Sequence, residues 1–383
     1  MLNRRTIRIK AMQSLFAYEQ CKRANYNLAL EQIETTFSFD LNSMEKQDKK
    51  LLKIQATEAT KIFRSEYRKN KAVKAGSEPI INKVVNKAIK EYFAQIKKDS
   101  TYLKKEMLRD AEQIIARYSW LLFWPHALRE LIKEGKRKLG TANYDNLVNN
   151  RVIDLIANHK KLSGIYSKSE LSWNNQEDEI IVWLNEVILK DDIILKYLDL
   201  EETNFTDDKT IILYIYKSLI FKNTEIIGGY MEQQDLFWSE NKAILRSMVL
   251  KTIKVIVEGK NDFELAELSY NWQEDKQFFE TIFDQTVLEE ENYEELIASK
   301  SKNWEFDRIS ETDKILLQMA IQEMINFPGI PLKVTINEYI EVSKKYSTPK
   351  SKQFINGVLD VIAIDLQKKG EIKKSGRGLI DNK

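Results

Sequence analysis

The sequence predicts an all-α protein, and three observations carry that expectation. Only 12 Gly and 5 Pro among 383 residues leave few turn formers for an all-β chain. Apolar residues recur at three- and four-residue spacing through most of the chain. The clearest of these runs are bracketed by capping residues and helix breakers.

Taken in order, Ile7, Ala11, Met12, Leu15, Phe16 and Tyr18 predict a first helix over 4–20, with Arg4, Arg5 and Arg8 crowding its first turns. A second helix is expected over 28–37, then a break at 41–43, then a charged, helix-prone run over 45–71. From about 46 to 272 helical patterns alternate with polar joints at 74–79, 140–145, 163–176, 204–208 and 259–262, with no fixed-period repeat. The aromatics of this stretch, among them Trp120, Phe123, Trp124, Trp183, Tyr214, Tyr216, Phe237 and Trp238, read as helix-packing core. Residues 211–221 have strand-like composition, but their setting between helical runs favours a buried helix.

Beyond Asp275 the signals sharpen. Ser310 with Asp313 forms a capping arrangement ahead of Ile315, Leu316, Met319, Ala320 and Met324, and Pro328-Gly329-Ile330-Pro331 ends that helix. Thr335 with Glu338 fits a capping box for the next helix. Thr348-Pro349 offers an N-cap and a first-turn proline for the last, whose stripe is Phe354, Ile355, Val358, Leu359, Ile362, Ala363 and Leu366. Residues 370–383 are polar, basic and without a stripe, so a disordered tail is expected.

Charge and chemistry narrow the function. Sixty basic and 58 acidic residues give a net charge of +2, so no global field draws the chain onto nucleic acid and any such site is local. Cys21 is the single cysteine and His126 and His159 the two histidines, which disfavours a disulfide or a Cys/His metal centre. The apolar stretches, such as 119–125, fall short of a span of about 20 residues, and the first 20 residues reach charge too soon for a signal peptide. A cytoplasmic protein without a cofactor is the expectation.

Several motifs in order resemble the NusB family: Trp304 and Asp307-Arg308, the helix ILLQMAIQEM, the run IPLKVTINEYIE and the motif FINGVLD. The opening NRRTIRIKAMQSLFAYEQ is similar to that family's first helix. Together these cover about a third of the chain. The resemblance divides the sequence into N-terminal family helices over 1–40, a helical extension over 41–270, a C-terminal family domain over 271–369 and the tail. It implies an all-α fold and binding of boxA-type single-stranded RNA of ribosomal transcripts. It also implies the joint action of NusE, a small-subunit ribosomal protein, within an antitermination complex on RNA polymerase, with no membrane and no catalysis.

Candidate RNA contacts follow from where the cations fall. Arg4, Arg5 and Arg8 at a helix start oppose the macrodipole at about 0.3–1 kcal/mol each, a placement suited to phosphate, with Gln13 a turn further on. Lys350 and Lys352, with Lys344 and Lys345 nearby, repeat the combination, and Ser351, Gln353, Phe354 and Asn356 add hydrogen-bonding groups and a possible stacking face. Phe354 is equally the first core position of the last helix. Gly357 costs roughly 0.5–1 kcal/mol inside a helix and implies a close backbone approach, with helix packing favoured over RNA. The resemblance adds Gln318, where many relatives carry Arg, to the RNA side. It assigns Phe16, where relatives commonly carry Tyr, with Asp313 and Glu323, to the NusE side. Asp313 reads otherwise as a cap and Glu323 as a solvated helix residue. Two alternatives stand: a helical scaffold built on the extension, and an RNA-modifying enzyme. The second lacks a Gly-x-Gly-x-x-Gly loop or a cysteine in catalytic context.

Overall fold

The computed structural model describes residues 2–40, 42, 47–135, 143–301 and 309–382. It is helical throughout, with no strand among the described residues. Trp304, Asp307 and Arg308 lie outside the described residues.

The first helix, α1 (Arg4–Thr36), runs unbroken for 33 residues. The expected break before 28 is absent because nothing between 21 and 28 is a Gly or Pro that would interrupt the ladder. Next come α2 (Lys49–Glu66), started by the Asp48 carboxylate accepting from Lys50 N and Leu51 N, and the 55-residue α3 (Pro79–Lys133). Short helices follow: α4 (Asp145–Val148), α5 (Arg151–Asn158), α6 (Lys160–Lys168), α7 (Glu177–Trp183), α8 (Asp192–Leu198), α9 (Phe205–Tyr214) and α10 (Ile226–Gln234). Residues 211–221 are helical, with a wide final turn over Ile215–Ile220. The chain then enters α11 (Trp238–Val255), α12 (Trp272–Leu288), α13 (Glu290–Lys300), α14 (Glu311–Asn326), α15 (Leu332–Tyr346) and α16 (Ser351–Lys368).

Two compact units emerge, and they cut across the expected boundaries. One comprises Met1–Thr6 with Arg109–Asp275; the other comprises Ile7–Leu108 with Lys276–Lys383. The expected extension, residues 41–270, falls partly in each unit. Its first part, α2 and the beginning of α3, packs on the end of α1 through Ile33, Phe37, Ala59, Phe63, Ile81 and Val85.

In the first unit the aromatics form the core: Trp120 stacks on Trp173 at 4.3 Å, Trp183 meets Trp173 edge-on, and Tyr230 closes the group. Each large ring contributes well above the roughly 1.5–3 kcal/mol of a buried aliphatic side chain when area is counted, plus about 0.5–1.5 kcal/mol for ring geometry.

In the second unit α14 is the central element, every residue from 315 to 324 being buried. Ser310 caps it, its Oγ accepting from Asp313 N, and Phe327-Pro328 ends it, both as the sequence predicts. The other two caps differ. α15 starts at Leu332 with Pro331 before it, leaving Thr335 a full turn inside, and α16 starts at Ser351 without a side-chain cap from Thr348. The tail has a defined course where disorder was expected. Gly370 at φ 73° closes α16, Glu371 N reaching back to Leu366 O at 3.0 Å. Lys374 Nζ and Ser375 N then donate to the Phe327 and Pro328 carbonyls just beyond α14, the first of which also accepts from Ile330 N, and a 3₁₀ turn covers Gly376–Asn382.

Candidate nucleic-acid interface

The turn between α15 and α16 is held from below by hydroxyls. Ser351 Oγ donates to Asp313 Oδ2 at 2.7 Å and lies 3.0 Å from Ser347 Oγ and 2.8 Å from Thr348 Oγ1. Ser351 and Asp313 are both buried, and the second Asp313 oxygen has no hydrogen-bond partner. Because Ser351 points inward, the residues beside it point outward. Lys350, Lys352, Gln353 and Asn356 are exposed, and Phe354 is half-buried over the first turn of α16. Asn356 Nδ2 donates to Asp360 Oδ2 at 3.1 Å, which orients its amide. This short stretch of helix thus presents two ammonium groups, two amides and one partly open ring, while the backbone N–H groups of Ser351, Gln353 and Phe354 donate within the turn, to Thr348 O and Lys350 O.

The arginines at the other candidate site divide. Arg5 is exposed, and Arg4 is engaged by Glu274 and, at 3.9 Å, by Asp275 within the first unit. Arg8 faces the interior of the second unit and is 3% exposed. Its Nε and Nη2 donate to the two Glu323 oxygens at 2.7 and 2.6 Å. Thr335 Oγ1 and Tyr339 OH donate to the same carboxylate at 2.9 and 3.1 Å, and Glu338 stands 3.6 Å from Arg8 Nη1. The guanidinium also lies 5.3 Å from the Phe278 ring centre. Burial works against the charged guanidinium, but hydrogen bonds and charge from Glu323 outweigh it and raise its proton affinity above the ordinary arginine value. Burial and then Glu323 push the Tyr339 hydroxyl well above the usual tyrosine range.

These placements correct several expectations. Arg8 and Glu323 form a buried ion pair that fastens α1 to α14 and α15, so neither lies on the surface, and Glu323 is not a solvated helix residue. Gln318 is buried in α14, and Gln13 is half-buried with its Oε1 shielded and without a hydrogen-bond partner. Asp313 and Ser351 fasten α14 to α16 rather than face solvent. Phe16 is 40% exposed on α1. The sequence offers Thr335 only as a cap and gives Tyr339 no polar role, although a charged residue inside the apolar run 315–324 signals a buried helix whose polar groups need partners.

Among the described residues no three His, Cys, Asp or Glu side chains converge to hold a metal ion, and no helix is long and apolar enough to cross a membrane. Fold and site define an all-helical protein with a polar, lysine-bearing turn at the start of its last helix. A model of the NusB family matches residues 243–363. The transcription antitermination protein NusB of Salinibacter ruber is 39% identical over 141 residues, which is 35% of this chain and 88% of that protein. Its namesake in Chloroherpeton thalassium is 42% identical over 106 residues, 28% of this chain and 50% of that protein, and in Natranaerobius thermophilus 41% over 102, 27% and 71%. The chain belongs to the NusB family. No solved structure matches it.

Proposed function

We propose that this chain is a non-enzymatic transcription antitermination factor that binds boxA-type single-stranded RNA together with NusE, within a complex on RNA polymerase. The observation that supports this most directly is the turn at 350–356. It combines two exposed lysines, for phosphate, with Gln353, Asn356 and the Phe354 ring, for unstacked bases. Phe16 is the apolar contact offered to NusE. Arg8, Gln13, Gln318, Ser351, Asp313 and Glu323 act from inside, by fixing the helices that display these groups.

RNA titrations of the full chain with and without NusE test the proposal. Affinity for a boxA oligonucleotide exceeds that for a scrambled one of equal length, and the preference grows when NusE is present. The log-log salt slope of about −0.7 per neutralised phosphate shrinks by about 1.4 in Lys350→Ala/Lys352→Ala. Equal binding of the two RNAs by a NusE-loaded sample overturns the reading.

A further inference from the structure

Positive and negative charge nearly cancel over the whole chain, but they are unevenly spread. Between Lys49 and Leu108 stand 16 Lys and Arg against 6 Asp and Glu, an excess of ten in a chain whose net charge is +2. The rest of the chain is therefore net negative, and the basic excess belongs to α2, the residues after it and the first half of α3, all within the second unit.

This half of α3 sorts its charges by face. Ile81, Val85, Ala88, Ile89 and Tyr92 are buried on one side. Lys83, Lys87, Lys90, Lys97, Lys98 and Lys105 recur at helical spacing on the other, and all six are exposed. Two of the carboxylates between 79 and 108 are turned towards α1 instead: Glu91 accepts from Gln32 and Asp99 from Asn25, each at 2.6 Å. Lys87 stands 3.9 Å from Glu91, whereas among the described residues Lys83, Lys90, Lys97, Lys98 and Lys105 have no ion-pair partner. Lys87 lies four residues from Lys83 and three from Lys90, spacings at which like charges repel along a helix. The row weakens the free helix, and an anion laid along it relieves the repulsion.

From Lys83 to Lys105 the row runs about 33 Å along a continuous helix. Lysine is a flexible point charge that holds phosphate and carries little information about bases. Between the lysines the same face offers Ala94 and Thr101, and Tyr102, the exposed ring nearby, is set off the row by about a quarter turn. An unpaired strand held through its bases needs stacking rings, which the row lacks, whereas a duplex keeps its bases inside and presents only its backbone.

We propose that the lysine row of α3 binds the phosphate backbone of double-stranded RNA, a stem of the transcript, without regard to its sequence. The row shares no residue with the turn at 350–356, and only the choice of RNA over another duplex rests on the RNA-binding reading above.

The test compares the full chain with Lys83→Gln/Lys90→Gln/Lys97→Gln/Lys98→Gln/Lys105→Gln, each titrated with an RNA hairpin lacking boxA, an unstructured RNA strand and a DNA hairpin of equal length. Glutamine keeps helix propensity and the replaced side chains are exposed, so helix content and melting temperature stay those of the unaltered chain. Affinity for the RNA hairpin falls at least about tenfold at low salt, and the log-log salt slope shrinks by about 4, close to one released phosphate per lysine. Arginine at the same five positions restores both, and the preference of the NusE-loaded chain for boxA over a scrambled strand is unaltered. An RNA hairpin bound equally by the unaltered and glutamine chains overturns the inference and leaves the boxA reading standing. Hairpin binding that depends on the row, with no preference for boxA, keeps the inference and removes that reading. An unstructured strand, a DNA hairpin or polyglutamate of equal charge that the row binds more tightly than the RNA hairpin assigns it to single strands, DNA or an acidic protein, and overturns the inference.

Discussion

Replacing Arg8 separates a surface arginine from a buried one. In Arg8→Met the side-chain volume is nearly kept, but the Glu323 carboxylate loses the two guanidinium hydrogen bonds of 2.7 and 2.6 Å and the counter-charge that makes them. Glu323 is fully buried and cannot turn to water, leaving Thr335 and Tyr339 to solvate an anion with two hydroxyls. Breaking a buried pair from one side costs about 3–5 kcal/mol. For a unit of roughly 200 residues that is a drop of about 6–20 °C in melting temperature. Arg8→Met/Glu323→Leu removes the stranded charge, so its loss falls short of the summed single losses by about 1–3 kcal/mol in a double-mutant cycle by urea denaturation. The double variant, being folded, also binds RNA within about twofold of the unaltered chain. A loss below about 1 kcal/mol in Arg8→Met, or a double variant that folds and no longer binds RNA, would refute the assignment of Arg8 to the interior.

The remaining predictions concern other joints of the same unit. Glu19 shares Lys22 with Glu290, and burial, then Glu290, pushes its carboxyl up to about 7. The folded state then holds a proton that the unfolded state releases above about 4.5, so stability is greatest below that value and falls as pH rises towards 7. The fall is at most about 3 kcal/mol, and Glu19→Gln flattens it in urea titrations at stepped pH. Ser351→Ala strips the last hydrogen bond from the buried Asp313 carboxylate, and urea denaturation shows a loss of about 1–3 kcal/mol. In Gly378→Ala the new Cβ overlaps the Pro328 carbonyl oxygen, so the tail leaves the end of α14, and amide exchange speeds up at Ser375 and the following turn while α14 stays protected.

Local chemistry made the helices legible, and local chemistry is also why parts of the site were not. Ser310 with Asp313 is a cap that acts across three residues, and it forms as read. Thr335 and Thr348 carry the same signature, yet each hydroxyl is drawn to a partner outside its own helix start or along its turn: Thr335 to Glu323, Thr348 to Ser351. A capping motif states what a side chain can do when nothing stronger is in reach. Within a core, a carboxylate is stronger than a backbone N–H. The same competition hid the fate of Arg8, whose partner lies 315 residues along the chain. No periodicity over one helix records such a pair.

The sequence nevertheless held the clue on the other side of the pair. Residues 315–324 are apolar around the whole circumference except at Gln318, Gln322 and Glu323, and a helix without a polar face has no side to turn to water. Its few polar groups must then be satisfied inside, and a buried carboxylate calls for a cation from elsewhere in the chain. By contrast, the face of α16 that carries Lys352, Gln353, Asn356 and Gly357 alternates with a complete apolar stripe from Ile355 to Leu366. That helix satisfies its core without them and leaves them at the surface, whereas the arginine that looked most like a phosphate ligand is the one the fold cannot release.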